Sequence, residues 1–317
     1  MDFKTTIADA LKKNNVSENT SRIYLRIMKL LNGGSDPTNL SFLDDVETVK
    51  PKLKMLEKGE GEVSQNTYKN RLTAVIAVLN ATSGNTTQLY RQYKELFNTI
   101  RDKLVKVAKS GVMSEKEKAN WVPLQEIHTV LDAKKLKAHK PNATYDDKLD
   151  YFILSLYLDL EPARLQDYTE MWLVFRAKEY NTDFNYLIMP ENKMRINIHK
   201  TAKKKGYKDI DLKDKPAFLE ALNTYITVFT AKMQKSKNPI QLLKDAEGKA
   251  FTPDTLRYRL HKIFGKPIST QMLRKINATG KAPNIPKEEL TKLQQRAREM
   301  GHTTDTHINY YIKEQSQ

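Results

Sequence analysis

The stretch that decides the fold is DYFILSLYLDLEPARLQDYTEMWLVF, residues 150–175. Its first half is apolar on nearly every side, which is typical of a helix buried in the core of a large domain. Pro162 lacks a backbone N–H and disfavours helical geometry in the residue before it, so we expect the helix to break there and restart through Arg164. A buried helix of this length needs partners on several sides, and the flanking sequence supplies them.

Three short runs of alternating polarity follow this stretch, separated by short loops. They are FNYLIM (184–189), MRINIHK (194–200) and YKDIDL (207–212). Because alternation with a period of two is typical of half-buried strands, these runs predict a small antiparallel β-sheet. Helical patterns return at 216–233 and continue through the rest of the chain, and another helical pattern precedes the core stretch at 121–136.

The first third of the chain is also helical by pattern. Two segments, 17–32 and 64–80, both begin with S-x-N-T, continue with a basic polar turn and end in an apolar stripe. Ser17 and Ser64 are suitable N-caps, and Gly33–Gly34 is a suitable end for the first helix. The apolar positions expected to face inward are Tyr24, Ile27, Met28 and Leu31 in the first helix and Leu72, Val75, Ile76 and Leu79 in the second. No third copy follows, so these are two similar helices of one bundle and not a solenoid.

Residues 109–120, KSGVMSEKEKAN, are highly charged and poor in apolar residues, which is typical of a linker. The sequence therefore predicts a helical domain at 1–108, a linker at 109–120 and a second domain at 121–317. The predicted fold class is mainly α with a small antiparallel β-sheet.

Composition narrows the functional classes. Lys and Arg number 54 against 38 Asp and Glu, a formal net charge of +16, which favours polyanionic partners. There is no cysteine, so disulfides, thiolate zinc sites and cysteine nucleophiles are excluded. No apolar run approaches the roughly 18–20 residues that span a bilayer. We therefore expect an intracellular protein that is not secreted and does not span a membrane, with DNA, RNA or an anionic membrane surface as the candidate partners.

Five polar residues of the predicted second domain occupy unusual places. Arg164 follows the Pro162 break, Lys200 ends the run MRINIHK, Arg274 lies in QMLRK, His302 follows Gly301, and Tyr311 comes nine residues later. Each of these residues alone is more often a surface or packing residue. Together, cations around a tyrosine suit phosphoryl transfer through a covalent phosphotyrosine, with no metal and no cofactor. Two arginines can hold the phosphate oxygens by bidentate hydrogen bonds.

The motifs LEPARLQDY, HKTAKKK, QMLRK and MGH, with a tyrosine nine residues later, resemble the tyrosine recombinases of the phage-integrase family. The resemblance covers residues 121–311, and the paired S-x-N-T helices look like that family's helical core-binding (SAM-like) domain. It implies an α+β catalytic domain and a site-specific recombinase or integrase. Such an enzyme cuts and rejoins DNA through a 3′-phosphotyrosyl intermediate without ATP or metal.

Carried over by position, the resemblance assigns a role to each residue. Arg164 and Arg274 are the catalytic arginines, Lys200 the hairpin lysine, His302 the second histidine and Tyr311 the nucleophile. Asp167 stands where the family often has a supporting carboxylate. Tyr310 is the alternative nucleophile, because only spacing selects its neighbour.

One position departs from the family pattern. Gln271 stands where the family usually has a histidine that accepts the proton of the tyrosine. Glutamine can hydrogen-bond a phosphate or a phenol but cannot take up a proton near neutral pH. A water or His302 is then left as the base. This departure keeps open a catalytically impaired DNA-binding or architectural protein of the same fold.

The implied partner is double-stranded DNA, enclosed by the two domains. Candidate DNA contacts are Arg22, Arg26, Lys69 and Arg71 in the first domain and Lys203 and Lys204 in the second. Recombination implies a homotetramer on two duplexes, with a monomer allowed in free solution. DNA relaxation by a type IB topoisomerase shares the same chemistry and is the other alternative. The Lys- and Asn-rich composition fits an AT-rich virus or other mobile element.

Overall fold

The computed structural model describes residues 3–57, 60–110, 112–160, 164–176, 181–199, 202, 206–235, 238–281, 289 and 292. The chain divides into two compact units, Met1–Met113 and Ser114–Gln317, called here the N-terminal and the C-terminal unit. The division falls within the segment 109–120. None of the described helices combines the length and the apolar character that crossing a membrane requires.

Five helices lie in the described part of the N-terminal unit. They are α1 (Phe3–Lys13), α2 (Glu18–Leu31), α3 (Val46–Lys54), α4 (Gln65–Ser83) and α5 (Gln88–Ser110), with a 3₁₀ turn at Ser41–Leu43. Helix α4 is the centre of the unit, because it packs against the other four helices. The phenol of Tyr93 in α5 donates a hydrogen bond to the carbonyl of Leu43 at 2.8 Å, which fixes α5 to the 3₁₀ turn.

The two S-x-N-T motifs form the same cap. Ser17 Oγ accepts the backbone N–H of Thr20 at 3.3 Å, and Ser64 Oγ accepts that of Thr67 at 3.2 Å. Each serine satisfies an N–H that the first helical turn leaves without a partner, which stabilises a helix by about 1 kcal/mol. The predicted starts of α2 and α4 are therefore confirmed.

The predicted apolar stripes of α2 and α4 face the core of the N-terminal unit. Met28, Leu31, Leu72, Val75 and Leu79 are buried. Tyr24, Ile27 and Ile76 are partly buried and pack against the same core. The helical spacing alone was enough to predict which face is buried.

The C-terminal unit is built around the helix that the sequence predicts to be buried. Its described helices are α6 (Glu115–Asn120), α7 (Leu124–Ala138), α8 (Tyr145–Leu158), α9 (Leu165–Thr169), α10 (Pro216–Ile226), α11 (Ala231–Gln234), α12 (Pro253–Phe264) and α13 (Thr270–Lys281). Every residue of α8 from Leu149 to Leu158 is buried. Helices α7 and α10 pack on it, and the ring of Phe152 stacks on that of Tyr225 with centroids 4.6 Å apart. Such a stacked pair adds roughly 1 kcal/mol to the burial of both rings.

Part of the segment predicted as a linker is helical. Ser114 Oγ accepts the N–H of Glu117, and the Glu117 carboxylate accepts the N–H of Ser114 at 2.9 Å. This reciprocal capping box starts α6. The S-x-x-E pattern in the sequence marks it, although the high charge of the segment favoured an irregular linker.

A five-stranded sheet covers one side of the C-terminal core. Its strands are β1 (Met171–Val174), β2 (Asn185–Ile188), β3 (Lys193–Ile196), β4 (Lys208–Asp211) and β5 (Ile240–Gln241), in the order β4-β3-β2-β1-β5. Strands β2, β3 and β4 are the three alternating runs, and they pair antiparallel. Both edges of the sheet are unsuited to further pairing, since β4 carries three charged residues and β5 has two residues.

The prediction of a purely antiparallel sheet is wrong, because the sheet is mixed. Strand β1 pairs parallel to β2, with Met171 opposite Asn185, and antiparallel to β5. The sequence reading placed residues 171–174, MWLV, in the helical stretch that restarts at Arg164. A four-residue apolar run fits a buried helix and a buried strand equally well, and only the neighbouring strands decide between them.

Candidate active site

Arg164 and Asp167 lie together at the start of α9. Arg164 is the residue before the helix and is partly buried, and Asp167 is buried in the first turn. The Asp167 carboxylate accepts the backbone N–H of Arg164 at 3.1 Å, and the N–H of Asp167 donates to the carbonyl of Arg164 at 3.1 Å. Asp167 therefore holds the backbone of Arg164 in place.

Gln271 and Arg274 lie on the exposed face of α13. Their neighbours Met272, Leu273 and Ile276 are buried and fix the rotation of the helix. Residues three apart on a helix are neighbours, so the Gln271 amide and the Arg274 guanidinium lie side by side. Among the described residues no ion pair or hydrogen bond engages the Arg274 guanidinium.

Helices α9 and α13 are both hydrogen-bonded to the last turn of α8. A helix leaves its last four carbonyls without helical partners. The phenol of Tyr168 in α9 donates to the carbonyl of Leu156 at 2.7 Å, and the amide of Asn277 in α13 donates weakly to that of Tyr157 at 3.5 Å. Arg164 precedes Tyr168 by four residues, and Arg274 precedes Asn277 by three. The structure thus brings the two helices that carry the predicted catalytic arginines to one turn of α8.

Tyr157 is a tyrosine in the same place, but it is not suited to act as a nucleophile. Its ring packs edge-on against Tyr168 with centroids 5.2 Å apart. It is fully buried, and burial raises the pKa of the Tyr157 phenol well above its ordinary value. The phenol therefore stays protonated and serves packing.

Asn185 is a residue of this site that the sequence analysis missed. It opens β2, is completely buried, and donates from Nδ2 to the carbonyls of Asp167 and Ile198, each at 3.1 Å. Its Oδ1 accepts the N–H of Ile198 at 2.7 Å. The available signal was an asparagine inside a run of aromatic and aliphatic residues, since a buried amide needs partners for all its polar groups.

A hydrogen bond joins two residues on either side of the basic run that follows β3. His199 Nε2 lies 2.9 Å from the carbonyl oxygen of Gly206, so the N–H at Nε2 donates to that carbonyl. Gly206 has φ +69°, a left-handed conformation that glycine adopts without strain. The predicted site residues Lys200, Lys203 and Lys204 come between these two residues in the sequence and lie outside the described residues. His302, Tyr311 and its alternative Tyr310 also lie outside them.

Lys275, next to Arg274, pairs with the Glu117 carboxylate of α6. This hydrogen bond from Lys275, together with those from the backbone and side chain of Ser114, lowers the pKa of Glu117 to about 2. Helix α13 is therefore held from two sides, by α8 and by α6.

Three of the four predicted DNA contacts of the N-terminal unit are available to a partner. The side chains of Arg22 and Arg26 are 70% and 75% exposed, and Lys69 is partly exposed. Arg22 pairs with Glu18 and Arg26 with Glu57. Exposed pairs of this kind contribute little to stability, so a phosphate can displace the carboxylates.

Arg71 is buried, which speaks against the prediction that it contacts DNA. Its side chain is 4% exposed. Its Nη1 donates to the carbonyls of Leu53 at 3.1 Å and Met55 at 2.6 Å, and more weakly to that of Lys52 at 3.5 Å. These carbonyls lie at the C-terminal end of α3, so Arg71 caps α3 from inside the core. Burial lowers the pKa of Arg71, and the nearby Glu57 carboxylate opposes that shift.

Compared with models of protein families, with curated proteins and with solved structures, the chain matches none of them. Within the described part of the chain, no group of three or more His, Asp or Glu side chains could hold a metal ion.

Proposed function

We propose that the chain is a tyrosine recombinase that cuts and rejoins double-stranded DNA. The observation that carries the proposal is the shared attachment of α9 and α13 to the last turn of α8. It supports the placement of Arg164 and Arg274 around one phosphate. Asn185 holds α9 near the segment after β3 that leads in sequence to Lys200, which supports a role for Lys200 at the same phosphate.

The proposed reaction is two transesterifications. The Tyr311 phenolate oxygen attacks the scissile phosphorus, a new P–O bond to tyrosine forms, and the P–O5′ bond breaks. Lys200 gives a proton to the leaving 5′ oxygen, and a 3′-phosphotyrosyl link remains. A 5′-hydroxyl from a partner duplex then attacks the phosphorus and gives its proton to the Lys200 amine. A new P–O5′ bond forms, the P–O bond to Tyr311 breaks, and the tyrosine is released. Because the covalent link conserves the energy of the phosphodiester, strand joining needs no nucleotide hydrolysis.

The arginines serve the transition state of both steps. A five-coordinate phosphorane carries more negative charge on its equatorial oxygens than the ground state does, and guanidinium groups stabilise that charge. Removing one such donor from a preorganised site slows a reaction by roughly 10²- to 10³-fold. An Arg274 guanidinium with no carboxylate partner among the described residues is suited to this task, since no ion pair must break before the phosphate binds.

The N-terminal unit supplies DNA affinity in this proposal. Arg22, Arg26 and Lys69 lie on the two helices with the S-x-N-T cap, and their side chains reach solvent. Contacts of this kind to phosphates release counterions, so the affinity falls steeply as salt rises.

A nicked duplex tests the proposal. With a nick next to the scissile phosphate, the short strand carrying the 5′-hydroxyl diffuses away and the covalent adduct accumulates. We expect an adduct resistant to denaturation that is lost in Tyr311→Phe and retained in Tyr310→Phe. Loss of the adduct in Tyr310→Phe alone would identify Tyr310 as the nucleophile. DNA binding without a covalent adduct at any pH would refute the proposed enzymatic activity.

Gln271 favours one other function, a DNA-binding protein of the same fold that has lost catalysis. Gln271→His distinguishes the two. In a working enzyme, a histidine there supplies a proton acceptor and raises the rate of adduct formation near neutral pH. In a protein that only binds DNA, the substitution leaves the absence of an adduct unchanged.

A further inference from the structure

Asn185 connects two parts of the C-terminal unit that are far apart in sequence. Its Nδ2 donates at 3.1 Å to the carbonyl of Asp167 in α9 and at 3.1 Å to that of Ile198 beyond β3. Because both oxygens lie at this distance from one nitrogen, they are at most about 6 Å apart. One buried side chain therefore fixes the separation of two backbone segments.

The position of Asn185 explains why an amide is needed there. The ladder between β2 and β3 pairs Tyr186 with Arg195, and its continuation would place Ile198 opposite Asp183. The N–H of Ile198 instead donates to Asn185 Oδ1 at 2.7 Å. The chain thus leaves the ladder, and the Asn185 amide replaces the missing backbone partner. An apolar residue there would leave the buried carbonyl of Asp167 and the partly buried backbone groups of Ile198 without these hydrogen bonds, which is costly.

Each of the two connected segments leads to a residue of the proposed reaction. The Asp167 carbonyl belongs to the first turn of α9, whose N-terminal neighbour is Arg164. Ile198 precedes Lys200 by two residues along the chain. The ring of His199, between Ile198 and Lys200 in the sequence, is held by its hydrogen bond to the carbonyl of Gly206.

We propose that Asn185 is a positioning residue for strand cleavage. It sets the distance between α9, which follows Arg164, and the segment after β3 that leads in sequence to Lys200. This inference rests on the proposed function. Asn185 contacts neither DNA nor the reacting atoms. It acts by keeping the proton donor, Lys200, within reach of the 5′ oxygen that leaves the phosphate bound by Arg164.

The test compares two nicked duplexes, one with an ordinary scissile phosphate and one with sulfur in place of the bridging 5′ oxygen. A thiolate leaves without being protonated, so a misplaced proton donor no longer matters on the sulfur substrate. Asn185→Ala removes all three hydrogen bonds. Asn197→Ala is the matched control, since Asn197 lies at the same strand end and donates to the carbonyl of Phe184 at 2.7 Å, but not to α9. Lys200→Ala supplies the signature of a lost proton donor.

We expect Asn185→Ala to bind the duplex within about twofold of the unmodified chain. Its rate of adduct formation on the oxygen substrate should fall by about 10²-fold, the lower end of what a proton donor contributes. On the sulfur substrate most of this loss in rate should disappear, and the same should hold for Lys200→Ala. Asn197→Ala should react at the rate of the unmodified chain on both substrates. If Asn185→Ala does not fold, Asn185→Ser, which retains one hydroxyl donor, takes its place in the same comparison.

The outcomes separate the two levels of the proposal. If Asn185→Ala loses the same factor in adduct-formation rate on both substrates, Asn185 has only a structural role and the inference is overturned. An unchanged rate of Asn185→Ala on the oxygen substrate would also overturn it. If the unmodified chain forms no adduct with either substrate, the proposed function itself fails. If it forms one and Lys200→Ala shows the sulfur effect while Asn185→Ala does not, the function stands and the positioning role is refuted.

Discussion

Replacing Arg71 by methionine tests whether this buried cation stabilises the N-terminal unit or contacts DNA. Methionine keeps most of the apolar stem and removes the guanidinium. Two well-formed hydrogen bonds to carbonyls disappear, those to Leu53 and Met55, and a weaker one to Lys52. The end of α3 then has no internal cap.

The structure allows the size of this effect to be estimated. A hydrogen bond from a charged donor contributes roughly 1.5–3 kcal/mol, so the two good bonds set an upper range of about 3–6 kcal/mol. Part of that is offset, because the variant no longer buries a charge and its side chain still packs. We expect the free energy of unfolding of the unit to fall by about 3 kcal/mol. For a unit of this size its melting temperature should fall by about 15 °C.

Calorimetry of the full chain and hydrogen exchange of the amides of α3 and α4 measure this effect. Lys69→Met is the matched control, because Lys69 lies on the same helix and is partly exposed. We expect it to change the unfolding free energy by less than about 0.5 kcal/mol. It should weaken DNA binding and lower the salt slope by about one. An unchanged melting temperature in Arg71→Met, together with a reduced salt slope, would show that Arg71 contacts DNA and would refute its capping role.

Three further predictions concern the C-terminal unit. Because the folded pKa of Glu117 is about 2, below its ordinary value of 4.5, its ion pair stabilises the fold above about pH 4.5 and is lost as the pH falls towards 2. Glu117→Gln should therefore lower the unfolding free energy by about 1 kcal/mol at pH 7, after allowance for solvent screening, and by almost nothing at pH 2. Urea titrations in which the variant and the unmodified chain differ in unfolding free energy by the same amount at both pH values would contradict this. Arg274→Ala should slow adduct formation by about 10²- to 10³-fold and leave the melting curve unchanged, since Arg274 is exposed; a large loss of stability would instead make it structural. Asp150 is buried and binds Lys134 Nζ at 2.7 Å and Arg259 Nε. Arg259 also donates to the Asp146 carboxylate at 3.0 Å. Asp150→Ala should lower the unfolding free energy by about 3 kcal/mol in chemical denaturation; a loss under about 1 kcal/mol would show that Asp146 is sufficient to hold Arg259.

The sequence was sufficient where the cause of the structure is local. The caps of α2 and α4 depend on residues three apart, and their buried faces depend on helical spacing. Arg71 shows how such a pattern can be overlooked. It stands three residues after Tyr68 and four before Val75, both buried, so the spacing placed it on the buried face of α4. Its charge suggested a surface contact, and the carbonyls that accept its hydrogen bonds lie 16 to 19 residues away.

The parts of the candidate site that depend on distant partners could not be predicted. Strand β1 is a strand because β2 and β5 lie beside it, and its own four residues do not determine that. The same holds for Asn185, whose partners are 13 and 18 residues away. The order of Arg164, Lys200, Arg274, His302 and Tyr311 suggested one reaction. Only the folded chain shows that the last turn of α8 holds the helices of Arg164 and Arg274.

The two edge strands of the five-stranded sheet limit how copies of this protein can contact one another. An open strand edge invites hydrogen bonding to the same edge of another molecule, the first step towards fibrous aggregation. Lys208, Asp209 and Asp211 make β4 a poor template, and β5 is too short to offer one. Several copies assembled side by side on one nucleic acid would therefore have to recognise one another through helices or loops, and their dissociation would not be opposed by a shared sheet.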